Sequence, residues 1–486
     1  MLVRALPIGG KNPCYRFSMP IRIALLLALP VFASATPNIV FLVADDLGWN
    51  DVGYHGSEIQ TPNIDAIAES GVRLERHYSY PWCSPTRAAL MTGRSPLEIG
   101  VHGPFSPNHG RGLPTDEHLL PQSFAAAGYQ TIATGKWHLG NAHVKYFPHN
   151  RGFDRFYGHT SPGIDYFRHT AAGAYDWQRN GKSARDEGYS TSLIGNEAVR
   201  AILERDTDRP FLLYVAFNAP HTPLQAPPEY IEKYAHIEKE SRRVFAAMVD
   251  CMDTAIGRIL GTIESEGLAR DTLVVFISDN GGLLATDGGA DNSPLKGEKT
   301  QTWEGGIRTP AAVHWPGVVE GGEVVDDLIT VHDWLPTLLD ATGVRGLNQK
   351  AFYGQSVWSA IRDREPLGER TVVLGATGWF AVFDGPWKLV HRPLGNGQTE
   401  RTLYRIFEDP SESRDLAASE PAAFERLTGI LEGFSLGETI SGPTPGDERR
   451  PDGSRRPPPG NGLPGNPHPT QRPETRPPFA ERASRD

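Results

Sequence analysis

Two apolar runs that end in acidic residues constrain this chain more than any other feature. Asn38-Ile39-Val40-Phe41-Leu42-Val43-Ala44 leads directly into Asp45-Asp46, and Thr272-Leu273-Val274-Val275-Phe276-Ile277-Ser278 leads into Asp279-Asn280. A short uninterrupted apolar run bounded by polar residues reads as a strand buried on both faces of a parallel sheet. Such strands need helices above and below, and the intervening sequence supplies them. Residues 61–71 carry a Thr61 cap, an early Pro62 and a terminal Gly71, the marks of a helix. Residues 119–128, 242–266 and 328–341 read as further helices, and 131–134 and 210–217 as further strands. The fold class is therefore α/β, with ligands expected beyond the carboxyl ends of the strands. Asp45, Asp46, Asp279 and His221 all fall there.

The pattern changes near residue 371. Residues 371–375, 379–383, 387–391 and 402–407 are short strands, with a tight turn at Asp384-Gly385 and a closing helix over 421–431. The expected organisation is a catalytic domain over 36–370, a small antiparallel-sheet domain over 371–440, and a Pro/Gly/Arg-rich disordered tail over 441–486. At the N-terminus, Arg22 precedes an apolar stretch that closes on Ala33-Ser34-Ala35. That reads as a signal peptide over 1–35, with Met19 as an alternative start. The stretch falls short of the roughly 20 residues that span a bilayer.

Composition narrows the chemistry. The 486 residues include 48 Lys and Arg against 58 Asp and Glu, a net charge of −10. No global field favours nucleic acid, so an anionic substrate needs a local basic cluster. The 3 cysteines, at positions 14, 83 and 251, make no disulfide framework. Cys251 lies in an apolar helical stretch and reads as a buried thiol.

Asp45, Asp46, Asp279 and Asn280 at neighbouring strand ends would repel one another without a cation, and all-oxygen ligands suit Ca²⁺ or Mg²⁺. Cys83-Ser84-Pro85-Thr86-Arg87 opens an apolar helix that ends at Gly93. At a helix N-terminus Cys83 gains thiolate character, and an anion meets free N–H groups. The residue patterns alone leave Cys83 open as an inert buried thiol or as a nucleophile with His138 or His221 as base. Lys136 and His138, two apart, share one face if extended. Lys136 would neutralise an oxyanion, and His138 would move a proton. His221 sits in a proline-stiffened loop after a strand, and Lys296 lies in Pro294-Leu295-Lys296-Gly297-Glu298-Lys299.

These motifs resemble the type I sulfatases of the alkaline phosphatase superfamily. The resemblance runs from Pro37 to about Ala417. It rests on D-D-L-G-W-N-D-V-G-Y-H-G at 45–56, C-S-P-T-R-A-A-L-M-T-G-R at 83–94, G-K-W-H-L-G at 135–140 and P-H-T-P at 220–223. D-N-G-G at 279–282, P-L-K-G-E-K…W-E-G-G-I-R-T-P at 294–310 and the late Asp409-Pro410-Ser411-Glu412 complete it. The stretches 45–56 and 150–158 look most like the arylsulfatase B (N-acetylgalactosamine-4-sulfatase) branch.

The resemblance implies an alkaline-phosphatase-like sandwich with a large mixed, mostly parallel sheet. It implies that Cys83 is oxidised to Cα-formylglycine by a formylglycine-generating or equivalent maturation enzyme that reads C-x-P-x-R. It further implies one Ca²⁺ held by Asp45, Asp46, Asp279, Asn280 and the modified residue 83. Arg87 and Lys136 would hold the nucleophile, His138 would take its proton, and His221 with Lys296 would assist the leaving group. The implied activity is sulfate-ester hydrolysis on a sulfated carbohydrate or an aryl sulfate. The scarcity of cysteines departs from lysosomal relatives and fits an exported bacterial enzyme, periplasmic or extracellular. No nucleic acid and no stable membrane span are expected.

Two other functions are compatible with parts of this pattern. A phosphodiester or phosphonate monoester hydrolase of the same superfamily would share the metal site. A non-catalytic anion-binding protein on the same scaffold would be expected to have lost Cys83, Arg87, His138 or Lys296. Substrate loops are expected at 100–118, 141–190 and 283–293, with His102, His109, His143, His159, Tyr166, His169 and Trp177 as candidate contacts.

Overall fold

Alternate residues of the central strands enter two different cores. The computed structural model describes residues 36–106, 110–347 and 350–438. On the strand Asn38–Asp45, Ile39, Phe41 and Val43 join one apolar cluster, and Val40, Leu42 and Ala44 join another. The period of two along a strand forces this division, and it requires cover on both faces. The helices Ser190–Leu203 and Glu240–Ser265 cover the second face; helix Trp334–Thr342 lies on the first. Each fully buried aliphatic or aromatic side chain contributes roughly 1.5–3 kcal/mol of transfer free energy.

Among the described residues the main sheet has 10 strands. At its centre Asn38–Asp45 pairs in parallel with both Phe211–Pro220 and Thr272–Ser278, so Leu42 lies between Val215 and Phe276. Gln130–Lys136 and Arg155–His159 extend the parallel set. Ala311–His314 runs antiparallel beside Thr272–Ser278, and Gln178–Arg179 runs antiparallel beside Arg155–His159. The sheet is thus mixed and mostly parallel, as expected. A separate 4-stranded antiparallel sheet follows, built from Thr371–Ala376, Trp379–Asp384, Trp387–Gly395 and Gln398–Arg405. Helix Pro421–Gly433 packs on it. Its Leu374, Val382 and Leu403 share an apolar cluster with Phe41 and Trp334 of the main body.

Two local expectations change. The helix expected over 328–341 begins only at Trp334, because Ile329–Thr330 forms a short strand with His77–Tyr78. Asp333 Oδ2 accepts from both Thr330 N and Thr330 Oγ1 at 2.7 Å, which turns the chain before the helix starts. Lys136 and His138 do not continue one extended strand. The strand stops at Lys136, and His138 has φ 55°, in the left-handed region. The signal peptide expected over 1–35 and the tail expected over 441–486 lie outside the described residues. Among the described residues, no helix is long and apolar enough to cross a membrane.

Candidate active site

The acidic residues sit where the central strands stop. Asp45 is the last residue of its strand, past a register shift that begins at Val43. Asp46 turns away at φ 67°, a conformation that Asp tolerates better than most residues. Asp279 follows the neighbouring strand, and its N–H donates to Ala44 O at 3.0 Å. Ser278 Oγ ties the two ends together by accepting from Leu47 N at 3.1 Å and donating to Asn280 O at 2.9 Å. Gly281 passes the Gly305 backbone so closely that a Cβ would lie 1.9 Å from Gly305 O. Only glycine permits that approach.

Cys83 begins the helix Cys83–Thr92, which is buried along its whole length. The helix ends at Gly93, as the sequence suggested, and Gly93 closes it in a left-handed conformation at φ 65°. No side-chain hydrogen bond caps its N-terminus, which leaves the N–H groups of Cys83 and Ser84 without a side-chain partner. Cys83 Sγ lies 3.5 Å from Asp45 Oδ1, and Lys136 Nζ lies 2.5 Å from Asp45 Oδ2. Arg87, one turn along the helix, donates through Nε and Nη2 to Asp279 Oδ2 at 3.0 and 2.8 Å, and through Nη1 to Lys136 O at 3.0 Å. Asp46 accepts Asn280 Nδ2 at 2.7 Å, and its own N–H donates to Asp279 Oδ1 at 3.3 Å. His221 Nε2 lies 3.7 Å from Asp46 Oδ2. Ligand atoms of Asp45, Asp46, Cys83 and His221 all fall within 4.8 Å of one another.

The electrostatics follow from burial. Burial and the nearby Asp279 charge raise the Asp45 carboxyl, and Lys136 only partly opposes them. Burial also works to raise Asp46, but Lys299 and His221 outweigh it and hold that carboxyl below the usual range. The Cys83 thiol is pushed up to about 12 by burial, so it carries almost no thiolate near neutrality. His138 is held well below the usual histidine range by burial and by Lys136 and Arg87. His138 Nε2 lies 3.1 Å from Phe105 O, which requires a proton on Nε2 and leaves the lone pair on Nδ1. That Nδ1 is buried without a partner. His221 Nδ1 lies 2.5 Å from Thr222 O, so its lone pair is on Nε2, beside Asp46. Burial and Lys299 lower His221 to about 3.

The donor set fits a hard cation. Asp45, Asp46 and Asp279 converge with Asn280, whose Oδ1 is buried and has no hydrogen-bond partner. An orphaned amide oxygen among carboxylates is the arrangement that a Ca²⁺ or Mg²⁺ ion satisfies.

Lys296 is not brought to this cluster. It is exposed, with Nζ 3.7 Å above the Trp303 ring and 3.3 Å from Glu412 O. Lys299 occupies the place instead, buried, with Nζ 2.7 Å from Asp46 Oδ2. Burial works against the Lys299 charge, but Asp46 more than restores it and raises its proton affinity above that of an ordinary lysine. Both lysines stand in one short polar string, which turns at Gly297 (φ 85°) and Thr300 (φ 81°). Among the candidate substrate contacts, His159, Tyr166, His169 and Trp177 are buried packing residues. Tyr166 OH donates to His221 O at 2.7 Å and so braces that loop. His143 Nδ1 accepts from Lys145 N at 3.1 Å and shapes a turn. His109 lies outside the described residues.

Comparison with known proteins bears on this arrangement. The Sulfatase family model matches residues 37–344. Arylsulfatase J of Mus musculus is 37% identical over 339 residues, 68% of this chain and 56% of that protein. N-acetylgalactosamine-6-sulfatase of Sus scrofa is 33% identical over 356 residues, 68% of this chain and 66% of that protein. The chain thus spans little more than half the length of the first of these curated relatives and just under two thirds of the second. Among solved structures, Ps i-CgsB in complex with k-i-k-neocarrahexaose superposes with a TM-score of 0.75 at 33% identity, covering 82% of this chain and 92% of that one. These relatives do not carry the narrower likeness to the arylsulfatase B branch.

Proposed function

The chain belongs to the sulfatase family, and from that premise we propose that it hydrolyses sulfate esters with residue 83 as nucleophile, after oxidation of Cys83 to Cα-formylglycine. The observation that carries this reading is the sealed cluster in which Cys83 and Lys136 meet Asp45 while Arg87 grips Asp279. A free thiol pushed up to about 12 is a poor nucleophile there, whereas the hydrated aldehyde supplies an oxygen nucleophile suited to a hard cation. Asp45, Asp46, Asp279 and Asn280 would hold Ca²⁺, which when bound polarises sulfate oxygens and favours a deprotonated nucleophile.

The chain's own residues then divide the work. The uncapped N-terminus of helix Cys83–Thr92 and Lys136 offer positive charge to a sulfate group. Arg87 holds Asp279 in place and stiffens the helix turn that carries residue 83. His138 Nδ1 holds the lone pair able to take a proton. His221 Nε2 and Lys299 Nζ both lie beside Asp46 Oδ2, and they are assigned to the leaving oxygen, which needs a proton or positive charge. An arriving anionic ester raises the proton affinity of His221, because an opposite charge favours the imidazolium.

A sulfated saccharide is the substrate class we favour. Its support is the similarity to Ps i-CgsB, solved with k-i-k-neocarrahexaose, and to an N-acetylgalactosamine-6-sulfatase. Export is part of the same proposal and rests on the apolar N-terminal stretch. Sulfate release from a panel of sulfated oligosaccharides, 4-nitrophenyl sulfate and a phosphonate monoester tests the activity. Sulfate release should exceed phosphonate turnover, and the reverse ranking would reassign the enzyme to phosphonate esters. The mass of the residue-83 peptide should fall by the thiol-to-aldehyde difference. An unmodified Cys83 in fully active protein would remove the formylglycine mechanism.

A further inference from the structure

The segment that carries Lys299 is held from two sides. Toward the site, Lys299 N donates to Gly282 O at 3.1 Å and Thr300 N donates to Pro81 O at 2.9 Å. Away from the site the segment rests on the antiparallel sheet. Thr302 Oγ1 donates to Phe380 O at 3.1 Å, and the Trp303 ring packs with Val390 and Tyr404.

Beneath that contact lies a sealed ion cluster. Lys388 Nζ is 2.7 Å from Glu304 Oε1 and 2.8 Å from Glu412 Oε1, and all three side chains are 0% exposed. Glu412 Oε2 accepts the Glu304 N–H at 2.7 Å. It thereby satisfies a donor at the start of the short helix Glu304–Ile307, which has no cap of its own. Glu304 Oε2 accepts from Tyr78 OH at 2.9 Å. Gly305 N donates to Lys296 O at 2.7 Å, so the loop closes on itself above this base.

A buried ion cluster adds little net stability, because desolvation offsets most of the attraction, and apolar replacements are often neutral or better. Glu412 also adopts φ 51°, a left-handed backbone that is strained for a non-glycine residue. Charges and strain retained at the root of one loop point to a demand for one loop geometry.

We propose that Lys388 and Glu412 are positioning residues, which act through Glu304 to hold the 296–306 segment so that Lys299 Nζ stays on Asp46. The antiparallel sheet is then a working part of the active site. The inference rests on the sulfate-ester reading above, in which Lys299 serves the leaving oxygen.

The test compares Lys388→Met, Glu412→Gln and the paired variant with Lys299→Met, using 4-nitrophenyl sulfate and an unactivated alkyl sulfate. A displaced Lys299 matters most when the leaving group is poor. Lys388→Met should therefore lower kcat for the alkyl sulfate about 10-fold or more and change the aryl rate much less. Adding it to Lys299→Met should cost little further, because both act through one group. The paired variant removes a cation and an anion together, so it keeps the experiment readable if Lys388→Met alone fails to fold. Equal losses on both substrates, or independent losses in the Lys299→Met background, would overturn the inference and leave only a structural role. If the unaltered enzyme releases sulfate from neither ester, the activity reading falls and takes this inference with it.

Discussion

Arg87 places two N–H donors on a single oxygen of Asp279, Oδ2, and so leaves Oδ1 to accept the amide of Asp46. One carboxylate thus joins the helix that carries residue 83 to the turn that carries the acidic pair. Both partners are buried, the guanidinium at 1% and the carboxylate at 0% side-chain exposure. Loss of one member of such a pair leaves the other charge stranded, at a cost of about 3–5 kcal/mol. Arg87→Ala should lower the thermal midpoint by several degrees and abolish turnover. Arg87→Lys should recover less than a tenth of the activity, since an ammonium cannot reproduce the planar fork. Scanning calorimetry with sulfate-release kinetics checks both, and a fully active Arg87→Lys protein would contradict the assigned geometry.

The two lysines of the 294–299 string should behave differently. Lys299→Met removes the buried cation on Asp46 and should lower kcat by about 100-fold, in the range of lost acid or charge assistance. Lys296→Met removes a surface contact to Trp303 and Glu412 and should stay within about 3-fold of the parent, as an exposed pair contributes little. Steady-state kinetics on an unactivated alkyl sulfate discriminates them, and the opposite ranking would return the role to Lys296.

Metal binding should appear as stability. A ligand that binds only the folded state at 100 times its Kd adds about 2.7 kcal/mol. Calcium titration of chelator-treated protein should therefore raise the melting temperature. Asn280→Ala, which removes the orphaned Oδ1, should weaken that dependence without removing it. A melting curve indifferent to both chelator and calcium would argue against a structural cation here.

Acid should destabilise the fold through His77. Its Nε2 accepts from Trp334 Nε1 at 3.0 Å, and its Nδ1 bonds Thr309 Oγ1 at 2.9 Å, so the folded ring is neutral. Burial lowers it from 6.5 to about 3, with Asp333 opposing in part. The unfolded chain takes up this proton below about pH 6.5, and the folded chain resists it until about pH 3. The stabilising contribution is therefore complete above pH 6.5 and is lost as pH falls through that window, by at most about 1.4 kcal/mol per pH unit. Urea midpoints measured from pH 7 to 4 should fall less steeply in His77→Gln than in the parent. Parallel slopes would show that His77 does not contribute.

The central strands were legible because continuous apolar runs allow little else than burial on two faces, and the acids that follow them had to stand at the sheet's carboxyl edge. The helix Cys83–Thr92 was legible from its apolar run and terminal Gly93. The late hairpins were legible from turn residues at short spacing. Less visible was the start of helix Trp334–Thr342, where Asp333 and Thr330 bond locally and compete with the helix pattern. Lys299 was missed because two lysines three residues apart in a polar loop carry no periodic signal. The coupling of Lys388 and Glu412 to Glu304 was hidden for the same reason: a lone lysine within a strand and a glutamate in a turn look like ordinary surface groups.

By itself the sequence determined the layered α/β architecture, the placement of Asp45, Asp46 and Asp279 at strand ends, and the residue types gathered around Cys83. These follow from local rules: strand period, apolar run length and helix termination. Tertiary structure alone decided which cation meets Asp46, which nitrogen of His138 is left open, and how the antiparallel sheet anchors the Lys299 segment. Those outcomes depend on side chains that approach from distant parts of the chain into a buried site, where a hydrogen bond or a charge a few ångströms away sets the chemistry.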